Sequence, residues 1–81
     1  MNHENVEKAL ELLIEIEKDT TIPKNIQQKI AQAIVNLNSE EETKIKASRV
    51  IQDLIELCED NNIQSFTRTQ IYNIVSLLEI V

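Results

Sequence analysis

Leu13-Ile14-Glu15-Ile16 returns 41 residues later as Leu54-Ile55-Glu56-Leu57. The same offset pairs Asp19 with Asp60, Ile22 with Ile63, Ile30 with Ile71, Ile34 with Val75 and Leu37 with Leu78. Upstream it pairs Val6 with Ala47, Lys8 with Arg49, Ala9 with Val50 and Leu10 with Ile51. A period of this length is one helix-turn-helix unit, similar in length to HEAT and armadillo units. It predicts an all-α chain of two tandem, HEAT-like helical hairpins, about residues 4–37 and 41–79. Two units are too few for a solenoid, whose hydrophobic faces need stacked neighbours. The expected architecture is a four-helix bundle in which the hairpins close on each other with pseudo-twofold symmetry, one domain over residues 1–81.

Apolar spacing places the four helices. The first is expected from about Glu4 to Lys18, with Val6, Ala9, Leu10, Leu13 and Ile16 on one face and Leu12 and Ile14 widening it. The second runs from about Pro23 to Leu37, with Pro23 in the first turn and Thr20 or Thr21 as N-cap. Its buried arc holds Ile22, Ile26, Ile30, Ala33, Ile34 and Leu37. Ser39 followed by Glu42 reads as a capping box that opens the third helix, so Ser39→Ala should cost about 1 kcal/mol. The chain has no glycine, which leaves asparagine to supply any left-handed C-terminal cap. The third helix, running to about Glu59, buries Ala47, Val50, Ile51, Leu54, Ile55, Leu57 and Cys58. The fourth, about Ser65 to Glu79, buries Phe66, Ile71, Ile74, Val75, Leu77 and Leu78. Nothing alternates with period two, so no sheet is expected.

Composition narrows the function class. Apolar residues at 42% and charged residues at 27% are ordinary globular usage and argue against disorder. The net charge of −6 repels phosphate backbones, and no Lys/Arg cluster or aromatic ladder overcomes it, so direct nucleic-acid binding is disfavoured. A single cysteine, Cys58, excludes an internal disulfide and fits a reducing cytoplasm. No apolar run approaches the roughly 18 residues of a membrane helix. Residues Met1 to Glu4 carry no basic-then-apolar secretory pattern.

Chemistry is sparse. One histidine, His3, and one cysteine do not make a zinc site, which needs three or four such ligands. Glu7, Glu11 and Glu15 form a stripe at four-residue spacing that reads as a solvated face. Cys58 lies within an apolar arc and reads as inert core. A chain without glycine has no Gly-rich phosphate loop. No catalytic, metal or cofactor residue is therefore assigned. The fourth helix is different. Arg68, Thr69, Tyr72, Asn73 and Ser76 lie off its apolar face, and Thr69, Asn73 and Ser76 make an uncharged polar stripe beside the aromatic ring. The stripe reads first as a half-buried helix contact, inside the bundle or across a dimer, and otherwise as the candidate interaction surface. Arg68 is expected to pair with the carboxylate of Asp60 or Asp19.

Several segments resemble a known family: Ile22-Pro23-Lys24-Asn25-Ile26, Asn61-Asn62-Ile63, and the run from Arg68-Thr69-Gln70-Ile71-Tyr72-Asn73 to Glu79. The chain is similar, over nearly its whole length, to a small archaeal uncharacterised protein family, number zero-one-four-seven. The matching positions are Pro23, Asn25, Arg68, Thr69, Asn73 and Ser76. Tyr72 stands where that pattern commonly has tryptophan, and Gln64 where it has proline. The resemblance implies a helical archaeal cytoplasmic protein and carries no activity, cofactor or site.

The leading expectation is a small protein–protein interaction module, self-associating as a homodimer or binding an unknown protein partner. The alternative is a nucleic-acid-associated accessory factor using Lys24, Lys29 and Arg68 at the turn end. A carboxylate-based enzyme around Glu7, Glu11 or Asp53 is the remotest reading. The apolar end, Leu77-Leu78-Glu79-Ile80-Val81, either completes the core or forms a contact.

Overall fold

Each helix carries one strip of aliphatic side chains, and burying four such strips decides which helix packs on which. The computed structural model describes residues 3–81 and holds α1 (His3–Glu17), α2 (Lys24–Leu37), α3 (Thr43–Leu57) and α4 (Ser65–Glu79). Met1, Asn2 and the side chain of His3 lie outside the described residues, and with them the sequence readings of the N-terminal segment and of His3. No strand occurs among the described residues. Consecutive helices pack together and α4 also packs on α1, while the backbones of the diagonal pairs α1–α3 and α2–α4 stay more than 8 Å apart. The result is an up-down-up-down four-helix bundle of 34 × 19 × 18 Å.

The buried cluster draws on all four helices: Ala9, Leu13 and Ile16 from α1, Ile26, Ile30, Ala33 and Leu37 from α2, Ala47, Val50, Leu54 and Leu57 from α3, and Ile71, Ile74, Val75 and Leu78 from α4. Each fully buried Leu or Ile contributes roughly 1.5–3 kcal/mol by leaving water. Leu10, Leu12, Ile34, Ile51 and Val81 are half-buried around this centre. Ile22 and Ile63 plug it at the end where the α1–α2 and α3–α4 loops lie. The C-terminal segment divides: Leu78 and Val81 join the core, and Ile80 is exposed.

Four local expectations are corrected. Ser39 does not cap α3. The N–H of Asn38 returns to the carbonyls of Ile34 and Val35 and that of Ser39 to Asn36, so Ser39 closes α2. Leu37 is fully buried, which keeps α2 helical to that residue and leaves residues 40–42 to cross to the next helix. α3 starts at Thr43 behind an extended Glu42, with no side-chain cap. Second, Pro23 is itself the N-cap of α2, in extended backbone, and the Thr21 hydroxyl bonds Asp19 instead. Third, no described residue has positive φ, so asparagine makes no left-handed cap. Fourth, Phe66 is 71% exposed, and its neighbour Thr67 is buried in its place.

The two hairpin loops are held by the same hydrogen bonds at positions 41 apart. Asp19 accepts the N–H of Thr21 at 2.9 Å, and Asp60 accepts that of Asn62 at 2.8 Å. The side-chain amide of Gln27 donates to the carbonyls of Glu17 at 3.1 Å and Asp19 at 2.6 Å. Forty-one residues on, Arg68 donates from Nε to the carbonyl of Cys58 at 3.0 Å and from a terminal nitrogen to those of Asp60 and Ile63 at 3.3 and 3.4 Å. The expected pairing of Arg68 with a carboxylate is thus replaced by backbone bonding. The Asp60 carboxylate takes the Asn62 N–H, and the carbonyls that end α3 need donors.

Two stability outcomes follow from these bonds. The Ser39 hydroxyl is buried without a partner. Ser39→Ala should therefore leave stability unchanged or raise it by up to about 1 kcal/mol in urea unfolding, because a buried unpaired hydroxyl is unfavourable. Arg68→Ala should cost about 1.5–3 kcal/mol and Gln27→Ala about 1 kcal/mol, since the first removes charged bonds and the second neutral ones. Equal losses in the two variants would contradict the clamp geometry.

Candidate interaction surface on the fourth helix

α4 reads Ser-Phe-Thr-Arg-Thr-Gln-Ile-Tyr-Asn-Ile-Val-Ser-Leu-Leu-Glu, and its charged side chains are Arg68 and Glu79 alone. Thr67, Ile71, Ile74, Val75 and Leu78 recur at helical spacing and face the core. The remaining positions turn outward by the same period. Thr69, Tyr72, Asn73 and Ser76 are all exposed and share the outer side of the helix. The Thr69 hydroxyl bonds back to the Ser65 carbonyl at 3.1 Å, which presents its methyl group to solvent. Arg68 leaves this group, because its guanidinium is turned to the α3–α4 loop.

Contacts across the α3–α4 seam locate Tyr72. Arg68, one turn before it, reaches the end of α3, so that flank of α4 faces α3. On α3, Ile51 lines a depression shared with Leu78 and Val81, so its flank faces α4. Ile55, one turn along the same flank, is partly exposed. Tyr72, Ile51 and Ile55 therefore border one seam, with Tyr72 half exposed. Phe66 stands six residues before Tyr72 and is exposed. Periodicity assigned it to the core because phenylalanine counts as apolar. The 41-residue offset carried the opposite signal, pairing Phe66 with the exposed Asn25 and Thr67 with the buried Ile26.

The other sequence candidates scatter. Lys24 and Lys29 are exposed, but with Arg68 bound to loop carbonyls the three do not form one free basic patch. Glu7, Glu11 and Glu15 are exposed on α1, and no group of three potential ligands is placed to hold a metal among the described residues. Asp53 and Glu56 border a shallow groove of about 250 Å³ between α2 and α3, beside Lys29 and Gln32. Arg49 and Glu41 form a two-pronged ion pair at 2.5 and 3.2 Å on the surface, which raises the arginine further above its ordinary range. Thr21, through its hydroxyl and then its N–H, holds the Asp19 carboxyl below its ordinary value.

Cys58 is buried at the end of α3. Burial pushes its thiol up, and the nearby Arg68 charge opposes that shift without cancelling it. A raised, buried thiol is a poor nucleophile. Native protein at pH 8 should react with an aromatic disulfide reagent at least about a hundredfold more slowly than protein unfolded in urea, the scale of protection that folding gives a buried group. Equal rates would show an accessible thiolate.

Comparison with known proteins agrees with this geometry. The model of the uncharacterised protein family UPF0147 matches residues 1–81. A UPF0147 protein of Sulfurisphaera tokodaii is 36% identical over 81 residues, covering 99% of this chain and 91% of that protein. The UPF0147 protein PH1921.2 of Pyrococcus horikoshii is 37% identical, covering 93% and 87%. Among solved structures, the crystal structure of the unknown-function protein MMP1188 superposes with a TM-score of 0.91 at 38% identity, over 98% of this chain and 91% of that one. The resemblance carried by the Ile22-Pro23 and Arg68-to-Glu79 segments therefore holds over the full length, and the chain belongs to the uncharacterised archaeal family UPF0147.

Proposed function

We propose that the protein is a small helical interaction module of the cytoplasm that docks a protein partner through the outer surface of α4. The observation that carries this reading is the fate of the aromatic residues. The chain has one phenylalanine, one tyrosine and no tryptophan. Both stand on α4, at 71% and 50% exposure, and neither fills the core. Aromatic rings in partly exposed, uncharged surroundings are the side chains that dominate protein interfaces. Around them lie Thr69, Asn73 and Ser76, in a chain whose other surfaces are rich in Glu and Lys. The unpaired, buried cysteine suits a reducing compartment.

The test separates association from folding. Tyr72→Ala, Phe66→Ala and Asn73→Ala all alter exposed residues, so each variant should keep the helical circular dichroism and the melting temperature of the parent. Tagged parent protein, recovered from its native cytosol after nuclease treatment, should retain a stoichiometric partner or a second copy of itself. The Tyr72 and Phe66 variants should weaken that complex by about thirtyfold, the loss typical of an aromatic anchor. Variants that leave both folding and every association unchanged would remove α4 as the docking surface. A complex that disappears with nuclease would transfer the reading to nucleic acid.

A further inference from the structure

Two neighbours on α4 fix the flank on which Tyr72 stands. Arg68, four residues before it, bonds the end of α3. Glu79, seven residues after it, shares a depression with Lys44, Ser48 and Ile51 of α3. Positions at these spacings lie on one side of a helix. Tyr72 therefore stands on the α3 side of α4, and it is the middle residue of that helix. Ile51 lies next to the middle of α3, and Ile55 follows one turn on. The three make an apolar strip at mid-height along the seam, half-buried at Ile51 and exposed at Ile55 and Tyr72.

The first hairpin is an internal control for this strip. Forty-one residues earlier, Leu10 and Ile14 match Ile51 and Ile55, so both hairpins carry the aliphatic pair. Its surroundings differ. Glu7, Glu11 and Lys24 stand where the second hairpin has Ser48, Gln52 and Ser65, and Ala31 stands where it has Tyr72. All of these polar positions are exposed. The matching positions of the second hairpin thus carry no charge around the apolar strip, and one of them carries a ring. Charge-depleted surface with an aromatic residue at its centre is the composition of an interface core.

We infer that this side of the bundle binds a second copy of the chain, the two related by a twofold axis running along the bundle. α3 of each copy then lies across α4 of the other, with equal ends together. Tyr72 of one copy covers Ile51 and Ile55 of the other. Charge selects the occupant. A chain of net charge −6 repels its own copies, and the uncharged strip is where they can meet. At one end of the strip, Lys44 on α3 and Glu79 on α4 stand on opposite sides of the seam. In this arrangement Lys44 of each copy faces Glu79 of the other, so symmetry makes two pairs of opposite charge.

The available area sets the strength. One long side of a bundle of 34 × 19 Å offers roughly 650 Å² per copy, below the about 800 Å² per partner of a standard interface. Such a contact is a reversible dimer rather than a permanent one. The second copy rests on the docking role proposed above for α4 and names its occupant.

The experiment is sedimentation equilibrium of the purified full-length protein from about 1 to 500 μM, a span that brackets a weak dimer. The parent should show a monomer–dimer equilibrium with a dissociation constant on the order of 10 μM. Tyr72→Ala should raise that constant at least about tenfold, whereas Ile14→Ala on the first hairpin should leave it unchanged. Ser48→Glu with Gln52→Glu gives the second hairpin the charges of the first at exposed positions. That double variant should keep the helical circular dichroism of the parent and sediment as a monomer. Lys44→Glu and Glu79→Lys, each repelled by its own copy, should associate about fivefold more tightly when mixed than either does alone. A parent that stays monomeric throughout, or a dimer undiminished by Ser48→Glu with Gln52→Glu, would overturn the second copy as occupant. Equal association of the charge variants mixed and separate would overturn the twofold arrangement. A monomeric parent whose cytosolic partner is still lost in Tyr72→Ala would sink the second copy alone and leave the docking role of α4 standing.

Discussion

In this chain without glycine, every turn among the described residues is made from right-handed or extended backbone, and the way the helices are joined follows from that restriction. Helices commonly end in a left-handed residue that satisfies the last carbonyls. Here no described residue has positive φ. The helix ends instead tighten into bifurcated turns, as where the Cys58 N–H reaches both Leu54 and Ile55. The carbonyls that remain are met by side chains from the next helix. Gln27 reaches back ten residues to Glu17, and Arg68 reaches back ten to Cys58. These bonds tie the start of one helix to the end of the previous one and fix the angle at which each hairpin folds. Once that angle is set, Ile22 and Ile63 fall between the helices rather than into solvent.

The core completed in this way is entirely aliphatic apart from Cys58 and Thr67. Small branched side chains fill four narrow strips, and the two rings have no place among them. Phe66 and Tyr72 therefore stand where their removal changes the surface far more than the interior. That separation gives α4 two distinct sides. One side contributes Ile71, Ile74, Val75 and Leu78 to stability, and the opposite side is free to vary in chemistry.

Helix number and the inward faces were legible from the spacing of isoleucine and leucine, because periodicity reports the direction a side chain faces. Leu13, Ile30, Leu54 and Ile71 all lie where it placed them. Starts and stops were less legible. Ser39 has the right spacing to Glu42 for a capping box, but its N–H closes onto the Asn36 carbonyl and it serves as the exit of α2. The role of Arg68 was hidden for another reason. Its long side chain can reach a carboxylate or a carbonyl, and only the folded loop decides between them. Thr67 was passed over because threonine carries no weight in an apolar count, although its offset partner Ile26 marks the position as interior.

The connector between the hairpins sets what an exchange of hairpins between two chains would require. Residues 40–42 are three adjacent glutamates, held by the Glu41–Arg49 pair and by the Lys46 ammonium on the Ser39 carbonyl at 3.0 Å. Everything that joins hairpin one to hairpin two, apart from this short crossing, is a face that an identical hairpin from another molecule would bury equally well. Exchange of hairpins between two chains would conserve the core and alter only the path of the connector. The balance between closed and exchanged forms would then be governed by the crossing itself, by screening of its charges, and by how many chains were present when the protein folded.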